Sequence, residues 1–580
     1  MSSRCPAEDA TTILPLGHHK SVITRQDVSN QPFTQTVPTK HIAIKCVLFF
    51  SVFITLAVAY YYGFRGFPRS SDDANSLLAG YDMSNGNWRL RGWWMPPDNY
   101  LTIDMLLYPI FVSCLGFNPY MMFYLPAVLW AGVAVLSLFL AQGGLAARNK
   151  ALAVAAVVTL ILLPIMMDNG AMGAVISRAE MHVGTILYVL LCFLFVKKVM
   201  SGKSKRSRLM LIAYTFIMLV AVIGDPLAIF IGAIPVIAVA AFSALYGRNS
   251  GLHLVVLAAT MVAVVFGKIL LLLNSLTGGF EIGHLEMRFV PFNELGKNVV
   301  WTLQYFFSLF GCDFFGKDLL AFPINNGPVL PIIRLPFLAL LMVALVQVGK
   351  KFHASVRAAD RQWPASESDH FDALLTAAFI IDILAGMFST RIVDASTIRY
   401  FLPALVFGAI LIARRQIVTR WLGPYLYFAL SASLAFSLMT YAQIPRRAVL
   451  VGKEIEAVSS WLSNNDLING YGPYWSSSIV TVATKDRVKI RALISDGAGK
   501  LKPFEWMADK RWYQCGATGG TRAVFVLADD KEGNFYREAD VLRTLGEPRD
   551  KHEVGQYIIN VYDSSNERLR SLCLPSTTAR

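Results

Sequence analysis

Long apolar runs separated by short polar stretches recur along the first three quarters of the chain. A helix needs about 20 apolar residues to cross the hydrocarbon core of a bilayer. Runs near this length predict about eleven membrane-spanning helices, at 42–62, 120–142, 149–168, 183–200, 208–223, 226–246, 252–273, 333–349, 371–389, 400–413 and 423–443. The pattern therefore predicts a polytopic α-helical membrane bundle over residues 42–445.

Two long loops interrupt the predicted bundle, at 63–119 and 274–332. In the first, YLTIDMLLYPIFVSCLGF (100–117) is nearly long enough to cross, but it contains an aspartate and a proline. Counting it as a span would also reverse the side of every later loop. We therefore predict a helix at the membrane surface there, and a second one in NVVWTLQYFFSLFG (298–311).

The pattern changes near residue 450, where the apolar spans stop. EIEAVSSWLSNNDL (454–467) predicts an amphipathic helix. Four segments alternate or are rich in β-branched residues and are predicted to be strands: SIVTVAT (478–484), RVKIRAL (487–493), RAVFVLA (522–528) and GQYIINVYD (555–563). Residues 450–580 are thus predicted to form an extracytoplasmic α/β domain, in which we expect a disulfide between Cys515 and Cys573.

Composition and charge agree with this organisation. The chain has 580 residues, 55% of them hydrophobic and 16% charged, which excludes an ordinary soluble enzyme. Its net charge of +14 could suggest a nucleic-acid partner, but the basic residues cluster beside span ends. The clusters comprise Lys197, Lys198, Lys203, Lys205, Arg206 and Arg208; Lys350, Lys351, Arg357 and Arg361; and Arg414, Arg415 and Arg420. The positive-inside rule makes these clusters cytoplasmic.

The same rule orients the rest of the chain. It places the polar tail, residues 1–41, inside and the C-terminal domain outside. The tail lacks a signal-peptide pattern, so the first span is predicted to be a retained anchor.

Two adjacent carboxylates, Asp72 and Asp73, follow the first span in RSSDDANSLL (69–78). Apolar residues at positions 74, 77, 78 and 81 predict that a short amphipathic helix begins there. One interpretation is that Ser71 or Asp72 caps this helix. Since one carboxylate suffices for a cap, the other is a candidate for chemistry.

A second candidate group is Glu180 and His182, two residues apart in ISRAEMHVGT. Side chains with this spacing point the same way on an extended segment and could share a cation or a substrate group. The alternative is an ordinary interfacial glutamate beside a snorkelling histidine. Asp225, between a glycine and a proline, is most simply explained as turn chemistry.

Two arginines depart from the positive-inside pattern. Arg391 and Arg399 fall in a predicted external loop, Arg399 at the mouth of a span beside Tyr400. Arginine matches a phosphate group with two hydrogen bonds, although an arginine at lipid headgroups would look the same in sequence. In the first loop, Trp93 and Asp98 suit a sugar ring, although tryptophan is also the usual interfacial anchor.

Together these features resemble the GT-C superfamily of integral membrane glycosyltransferases, which includes protein O-mannosyltransferases and aminoarabinose transferases. Topologically the resemblance covers roughly residues 40–445. The residues that carry it are Asp72 and Asp73 after the first span, Glu180 and His182 in a later external loop, and Arg399, Tyr400 and Pro403 at a span start.

The resemblance implies an enzyme that moves a sugar from a polyprenyl-phosphate-linked donor to an extracytoplasmic acceptor with inversion. It implies that Asp72 or Asp73 deprotonates the acceptor and that Arg399 stabilises the departing phosphate. Glu180 and His182 stand where some members have an acidic metal-binding pair, so a divalent cation is a candidate cofactor. The expected partners are the lipid-linked donor and membrane lipids, and the expected location is a bacterial-type inner membrane.

Two other functions compete with this one. A transporter would carry ionisable residues near the middle of the bilayer, whereas these spans are almost free of charge. A non-catalytic GT-C-like subunit of an envelope polysaccharide assembly system would keep the fold without the chemistry. The distinguishing feature is whether Asp72, Asp73, Glu180 and Arg399 converge on one cavity.

Overall fold

The computed structural model describes residues 39–574 apart from 144–146, 163–170, 179–180, 203–205, 247–249, 284–287, 318–327, 358–365, 416–421, 444–446, 516–520 and 530–534. The chain divides into two compact units, Met1–Leu48 and Phe49–Arg580, and all contacts given below are within the second. Most of the predicted tail, 1–41, lies outside the described residues.

Most of the described residues are helical. The α-helices are α1 (Thr39–Phe64), α2 (Ser71–Ser84), α3 (Leu107–Leu115), α4 (Met121–Gln142), α5 (Ala147–Val157), α6 (Ala171–Ile176), α7 (Val183–Met200), α8 (Ser207–Gly224), α9 (Ile234–Tyr246), α10 (Ser250–Leu276), α11 (Leu295–Leu309), α12 (Val329–Arg357), α13 (Glu367–Met387), α14 (Leu402–Arg414), α15 (Leu422–Gln443), α16 (Lys453–Asn464), α17 (Tyr474–Ala483) and α18 (Glu538–Leu545).

Nine of the described helices are long and apolar enough to cross a membrane. Seven of them lie within α1, α4, α7, α8, α10, α12 and α13 and begin at Cys46, Met121, Val183, Ser207, Gly251, Val329 and Glu367. The other two begin in short segments that lead into a helix: Ile229 in a π-helical turn, Ile229–Ala233, before α9, and Ser396 in a 3-10 segment before α14. Two more predicted runs, 423–443 and 149–168, overlap α15 and α5, respectively, and α5 is followed by a π-helical turn, Val158–Leu162; residues 163–170 lie outside the described residues. The prediction of a polytopic helical membrane protein is therefore confirmed.

The two predicted surface helices are helical and shorter than a span. The first consists of a π-helical turn, Leu101–Met105, followed by α3, and the second is α11. Both lie in the predicted long loops, so the prediction that 100–117 is not counted as a span agrees with the structure.

Beyond the bundle, strands β3 (Asn469–Gly472), β4 (Lys489–Ser495), β5 (Leu501–Pro503), β7 (Ala523–Ala528), β8 (Asp550–Val554) and β9 (Tyr557–Asp563) form one sheet. Its order is β5-β4-β3-β7-β9-β8. Strand β3 is parallel to both of its neighbours, whereas β9 pairs antiparallel with β7 and β8. The predicted α/β domain is confirmed, and Cys515 and Cys573 are disulfide-bonded within it.

One predicted strand is wrong. Residues 478–483 belong to α17 and Thr484 is its C-cap, although the segment is rich in β-branched side chains. Helix α17 connects β3 to β4, and parallel neighbours need a crossover, which is usually a helix. Topology therefore overrides local preference at this segment.

A second, three-stranded sheet joins distant parts of the chain. Strand β1 (Trp93–Met95) of the first long loop pairs in parallel with β2 (Glu281–Ile282) of the second and antiparallel with β6 (Ala508–Asp509) of the C-terminal domain. The core of the bundle also continues into α17 through Ile479 and Val482. The C-terminal domain is thus fastened to the loop that carries Asp72 and Asp73.

Helix α14 lies in the middle of the bundle. All of its residues are buried, and it packs against α4, α5, α12 and α13. A 3-10 segment, Ala395–Phe401, leads into it and carries Arg399, while Arg414 ends it. The thirteen residues of α14 span about 20 Å. Arg399, just before the helix, and Arg414, at its last position, therefore lie near its opposite ends.

A buried ion-pair network holds the Arg414 end. Arg414 Nε lies 2.5 Å from Asp372 Oδ1, and its Nη1 donates to the carbonyl oxygens of Leu140 at 2.9 Å and Gly143 at 2.7 Å. Arg415 reaches the other oxygen of Asp372 at 2.5 Å. The network therefore ties α14 to α13 and to the end of α4.

We expect Arg414→Met to lower the free energy of unfolding by about 3 kcal/mol, because it leaves buried carbonyls and part of the Asp372 charge without a partner. Thermal unfolding of the detergent-solubilised protein measures the effect. The matched control is Arg543→Met, which removes a half-exposed ion pair with Asp540 and should cost less than about 1 kcal/mol. Equal melting curves for the two variants would contradict the expectation.

Candidate functional site

One of the two adjacent carboxylates holds the first turn of α2. Ser70 occupies the N-cap, and Asp73 Oδ2 accepts hydrogen bonds from the Ser70 backbone N–H at 2.8 Å and from Ser70 Oγ at 3.0 Å. This capping box satisfies free groups at the helix start. The cap therefore lies at Ser70, before the predicted Ser71 or Asp72, and Asp73 is the carboxylate committed to it.

Asp73 is also buried near two arginines. Arg69 Nη1 lies 3.7 Å from Asp73 Oδ1, and Arg178 Nε lies 3.5 Å from Oδ2. The buried Arg69 donates a hydrogen bond to the Ser177 carbonyl oxygen at 2.7 Å. These contacts bring the segment before α7 against the start of α2, and with it the charge of Arg178.

Asp72 faces a different set of groups. Its Oδ1 accepts a hydrogen bond from the Tyr474 hydroxyl at 2.5 Å. Burial raises the pKa of the Asp72 carboxyl above its ordinary value, while the Tyr474 hydrogen bond and the charges of Arg178 and Arg399 oppose that rise. Asp72 is therefore a partly buried carboxylate that has basic groups near it and is not needed for the helix cap.

A cavity of about 610 Å³ lies between the turn that precedes α9 and the second half of α13. Its walls are largely apolar and include Leu227, Phe230, Ile381, Leu384, Ala385, Phe388 and Phe401. Its polar lining comprises Asp98, His182, Asp225, Arg288, Asp382, Ser389, Arg391 and Tyr400. An apolar space with a few polar groups is the usual form of a small-molecule site.

His182 is paired with the aspartate that the sequence assigns to a turn. His182 Nδ1 lies 2.7 Å from Asp225 Oδ2, to which the Thr185 hydroxyl also donates at 2.5 Å. Burial raises the pKa of Asp225, but His182 and the hydrogen bonds outweigh it, so the pKa is lowered. His182 also has a left-handed backbone, with φ of 65°. Such strain in a non-glycine residue often marks a functional position.

Tyr100 joins this pair to Asp98. Its hydroxyl lies 3.4 Å from His182 Nδ1 and donates to Asp98 Oδ2 at 3.2 Å. Tyr100 is left-handed as well, with φ of 53°. Its backbone is held by a 2.7 Å hydrogen bond to the Gly224 carbonyl oxygen, so the first loop packs directly against the turn that carries Asp225.

Arg399 and Tyr400 connect the cavity with Asp72. The Tyr400 ring lines the cavity and lies 5.1 Å from the His182 ring. The Arg399 guanidinium lies 5.1 Å from the Tyr400 ring centroid, and its positive charge acts on Asp72. The 3-10 segment before α14 thus places Tyr400 at the cavity, with the positive charge of Arg399 close enough to oppose the rise in the pKa of Asp72.

Trp93 is a packing residue. It is 1% exposed, its Nε1 donates to Asp82 Oδ2 at 2.8 Å, and its ring meets Trp512 edge-on. Arg511 of the C-terminal domain reaches the same oxygen of Asp82 at 2.6 Å. The Trp93 side chain is therefore buried where the first loop contacts the C-terminal domain.

The predicted site residues fall into three places. Asp98, His182, Arg391 and Tyr400 line the cavity; Asp72 and Asp73 lie in the first turn of α2, where the charge of Arg399 acts on Asp72; and Trp93 packs against the C-terminal domain. The predicted metal pair cannot be placed as a pair, because Glu180 lies outside the described residues. Within the described ranges, no group of three or more His, Cys, Asp or Glu side chains is placed to hold a metal ion.

Three residues of this region carried weaker signals in the sequence. Arg178 departs from the positive-inside pattern in the same way as Arg391 and Arg399, and that criterion alone could have found it. Asp225 was hidden by ordinary turn chemistry. Asp382 sits in an apolar span that lines the cavity, and an ionisable residue in such a span is by default a candidate for function.

No protein-family model and no curated protein matches the chain. The chain is similar to crystal structures of ArnT from Cupriavidus metallidurans, one bound to undecaprenyl phosphate (12% identity, TM-score 0.48) and one in the apo state (11% identity, TM-score 0.42). These alignments cover 93% and 92% of this chain and 100% of each ArnT chain.

It is also similar to a cryo-EM structure of the arabinofuranosyltransferase AftD from Mycobacteria, at 12% identity and a TM-score of 0.38, over 87% of this chain and 37% of AftD. Because the TM-scores are below 0.5, the likeness adds no weight to the role of any residue.

Proposed function

We propose that this chain is an inverting membrane glycosyltransferase of the GT-C type, which moves a sugar from a polyprenyl-phosphate-linked donor to an extracytoplasmic acceptor. The observation that carries the proposal is the position of Asp72. This carboxylate does not cap α2, since Asp73 does, and the positive charge of Arg399 acts on it. Tyr400, the residue after Arg399, lines a large apolar cavity. A carboxylate that can act as a base, a guanidinium that can bind phosphate and a large apolar cavity are thus linked through the segment Arg399–Tyr400.

In the proposed reaction Asp72 is the general base. It takes the proton of the acceptor hydroxyl as the oxygen forms a bond to the anomeric carbon, and the bond from that carbon to the donor phosphate breaks on the opposite side. The electron pair leaves with the phosphate, whose growing negative charge Arg399 stabilises. Arg178 opposes the burial-induced rise of the Asp72 pKa and so favours the ionised, basic form.

The cavity is the proposed donor site. Its apolar walls suit an isoprenoid chain, and Arg391 and Tyr400 can bind the phosphate or its sugar. His182, Asp225 and Tyr100 form a hydrogen-bonded set at the same cavity that suits the hydroxyl groups of a sugar. A divalent cation would be held by His182 with Glu180, as the sequence motif suggests.

The proposed orientation places the C-terminal domain outside the cell and the N-terminus inside. The disulfide between Cys515 and Cys573 supports it, since disulfides persist in oxidising compartments. In intact cells, a membrane-impermeant maleimide should label these two cysteines only after reduction with an impermeant reductant. Labelling without reduction, or labelling that requires cell lysis, would contradict the orientation.

Transfer of radiolabelled sugar tests the function. Membranes that contain the wild-type protein should transfer label from polyprenyl-phosphate-linked donors to an extracytoplasmic acceptor, and vector membranes should not. If no donor gives transfer above the vector background while the protein is present and folded, the glycosyltransferase proposal fails and a non-catalytic assembly subunit takes its place.

A further inference from the structure

The hydroxyl group of Tyr474, in the C-terminal domain, forms a hydrogen bond with the proposed base, Asp72. It donates to Asp72 Oδ1 at 2.5 Å across a separation of 402 residues. Asn75, one helical turn after Asp72 on α2, donates through its Nδ2 to the same hydroxyl oxygen at 3.3 Å. Since that oxygen already accepts from Asn75, its own hydrogen is directed towards Asp72.

Tyr474 is held rigidly in this position. It is 3% exposed and begins α17, directly after Pro473. Its ring is packed among Trp475, Phe504 and Phe535, at centroid distances of 4.9, 5.2 and 5.9 Å. A tyrosine enclosed in this way cannot follow a moving carboxylate, so it fixes the carboxylate instead.

We propose that Tyr474 of the C-terminal domain is a positioning residue for Asp72: it fixes the orientation of the carboxylate through Oδ1, so that Oδ2 is the oxygen presented to the acceptor hydroxyl. The inference rests on the proposed function and extends it to a residue outside the membrane bundle. Asp72 is set in place from both directions, by α2 and by α17. The C-terminal domain then takes part in the reaction through the position of the base.

The hydrogen bond also has an electrostatic consequence. A hydroxyl that donates to the ionised carboxylate stabilises the basic form, which lowers the pKa of Asp72 against the effect of burial. A general base works only when it is deprotonated, so activity is lost as the pH falls through its pKa. Removal of the hydroxyl therefore moves the acid limb of the pH profile to higher pH.

The test compares Tyr474→Phe with Tyr513→Phe in the full-length protein. Tyr513 is a buried tyrosine of the same domain whose hydroxyl donates to the Ala492 carbonyl oxygen at 2.7 Å. Both variants lose one buried hydroxyl, but only Tyr474→Phe loses a contact to Asp72. The acid limb of the kcat/KM profile should move to higher pH by about 1 to 2 units in Tyr474→Phe. In Tyr513→Phe it should not move. Above the limb, the activity of Tyr474→Phe should return towards that of the wild type.

A second readout does not need transfer activity. Hydrophobic carbodiimides modify protonated carboxyl groups, so the pH midpoint of their reaction with Asp72, followed by mass spectrometry with Asp72→Asn as the blank, reports its protonation. This midpoint should rise in Tyr474→Phe and not in Tyr513→Phe. Thermal unfolding of both variants controls for folding.

The outcomes separate the ideas. If neither the acid limb of the kcat/KM profile nor the pH midpoint of carbodiimide modification moves in folded Tyr474→Phe, the positioning role is overturned, even if the wild type transfers sugar. A rise in activity with an unchanged midpoint would also overturn it, because Tyr474 would then be obstructing the acceptor. If the midpoint shifts but the wild type transfers no sugar, the hold on the carboxylate stands and the proposed function fails.

Discussion

Asp72→Asn should abolish nearly all sugar transfer, with a fall in kcat of about 10²- to 10⁴-fold, because general-base catalysis contributes that much and an amide cannot take the acceptor proton. The substitution is close to isosteric, and its amide oxygen can still accept the hydrogen bond from Tyr474. The loss should therefore appear in kcat with little change in the melting temperature. Steady-state transfer rates at matched expression measure it.

Asp73→Asn is the matched control, one residue away with the same chemistry removed. An asparagine at position 73 can still accept the capping hydrogen bonds, but it removes the charge that faces Arg178 and the buried Arg69, so it should cost about 3 kcal/mol of stability. Per folded molecule, transfer should stay within a few-fold of the wild type. The reverse pattern, with Asp73→Asn inactive and Asp72→Asn active, would mean that the two carboxylates have been assigned the wrong way round.

Arg399→Ala is expected to give the second large effect, a loss of about 10²- to 10³-fold in kcat, because it removes the group that stabilises the departing phosphate. Arg399→Lys should recover only part of this loss, since lysine keeps the charge but not the planar pair of donors. Comparison of kcat with KM for the donor decides between roles. A group that acts on the transition state changes kcat, whereas one that only binds the lipid changes KM.

The control for Arg399 is Arg208→Ala. Arg208 is an exposed arginine in the first turn of α8, in one of the basic clusters predicted to be cytoplasmic, and it should leave kcat and KM unchanged. If Arg399→Ala keeps its kcat while the KM for the donor rises, Arg399 binds the headgroup in the ground state and another cation must stabilise the leaving group.

Hydropathy alone located the helical bundle with good accuracy, because the length of a span is set by the thickness of the bilayer. The predicted run 183–200 coincides with α7, and 120–142 differs from α4 by one residue. The predicted strand at 478–484 was wrong because a β-branched segment between parallel strands must serve as their crossover. Local preference carries no information about which strands will be neighbours.

The sequence identified the participants in the candidate site better than their pairings. Asp72, His182 and Tyr400 were singled out by their positions relative to the spans. The partners of Asp72 and His182, which are Tyr474 and Asp225, could not be predicted, because the first lies 402 residues away and the second 43 residues away. Such pairings depend on how the helices and the C-terminal domain pack.

The long separation between Asp72 and Tyr474 also governs how the molecule is made. A ribosome adds about 5 to 20 residues per second, so Tyr474 is synthesised roughly 20 to 80 s after Asp72. The strand β6 that closes the three-stranded sheet follows later still, at Ala508–Asp509. During that interval the nascent chain can insert its helices, but Asp72 on α2 still lacks its hydrogen bond from Tyr474, and β1 lacks its partner β6. The acid-bearing loop is thus among the last parts of the bundle to mature.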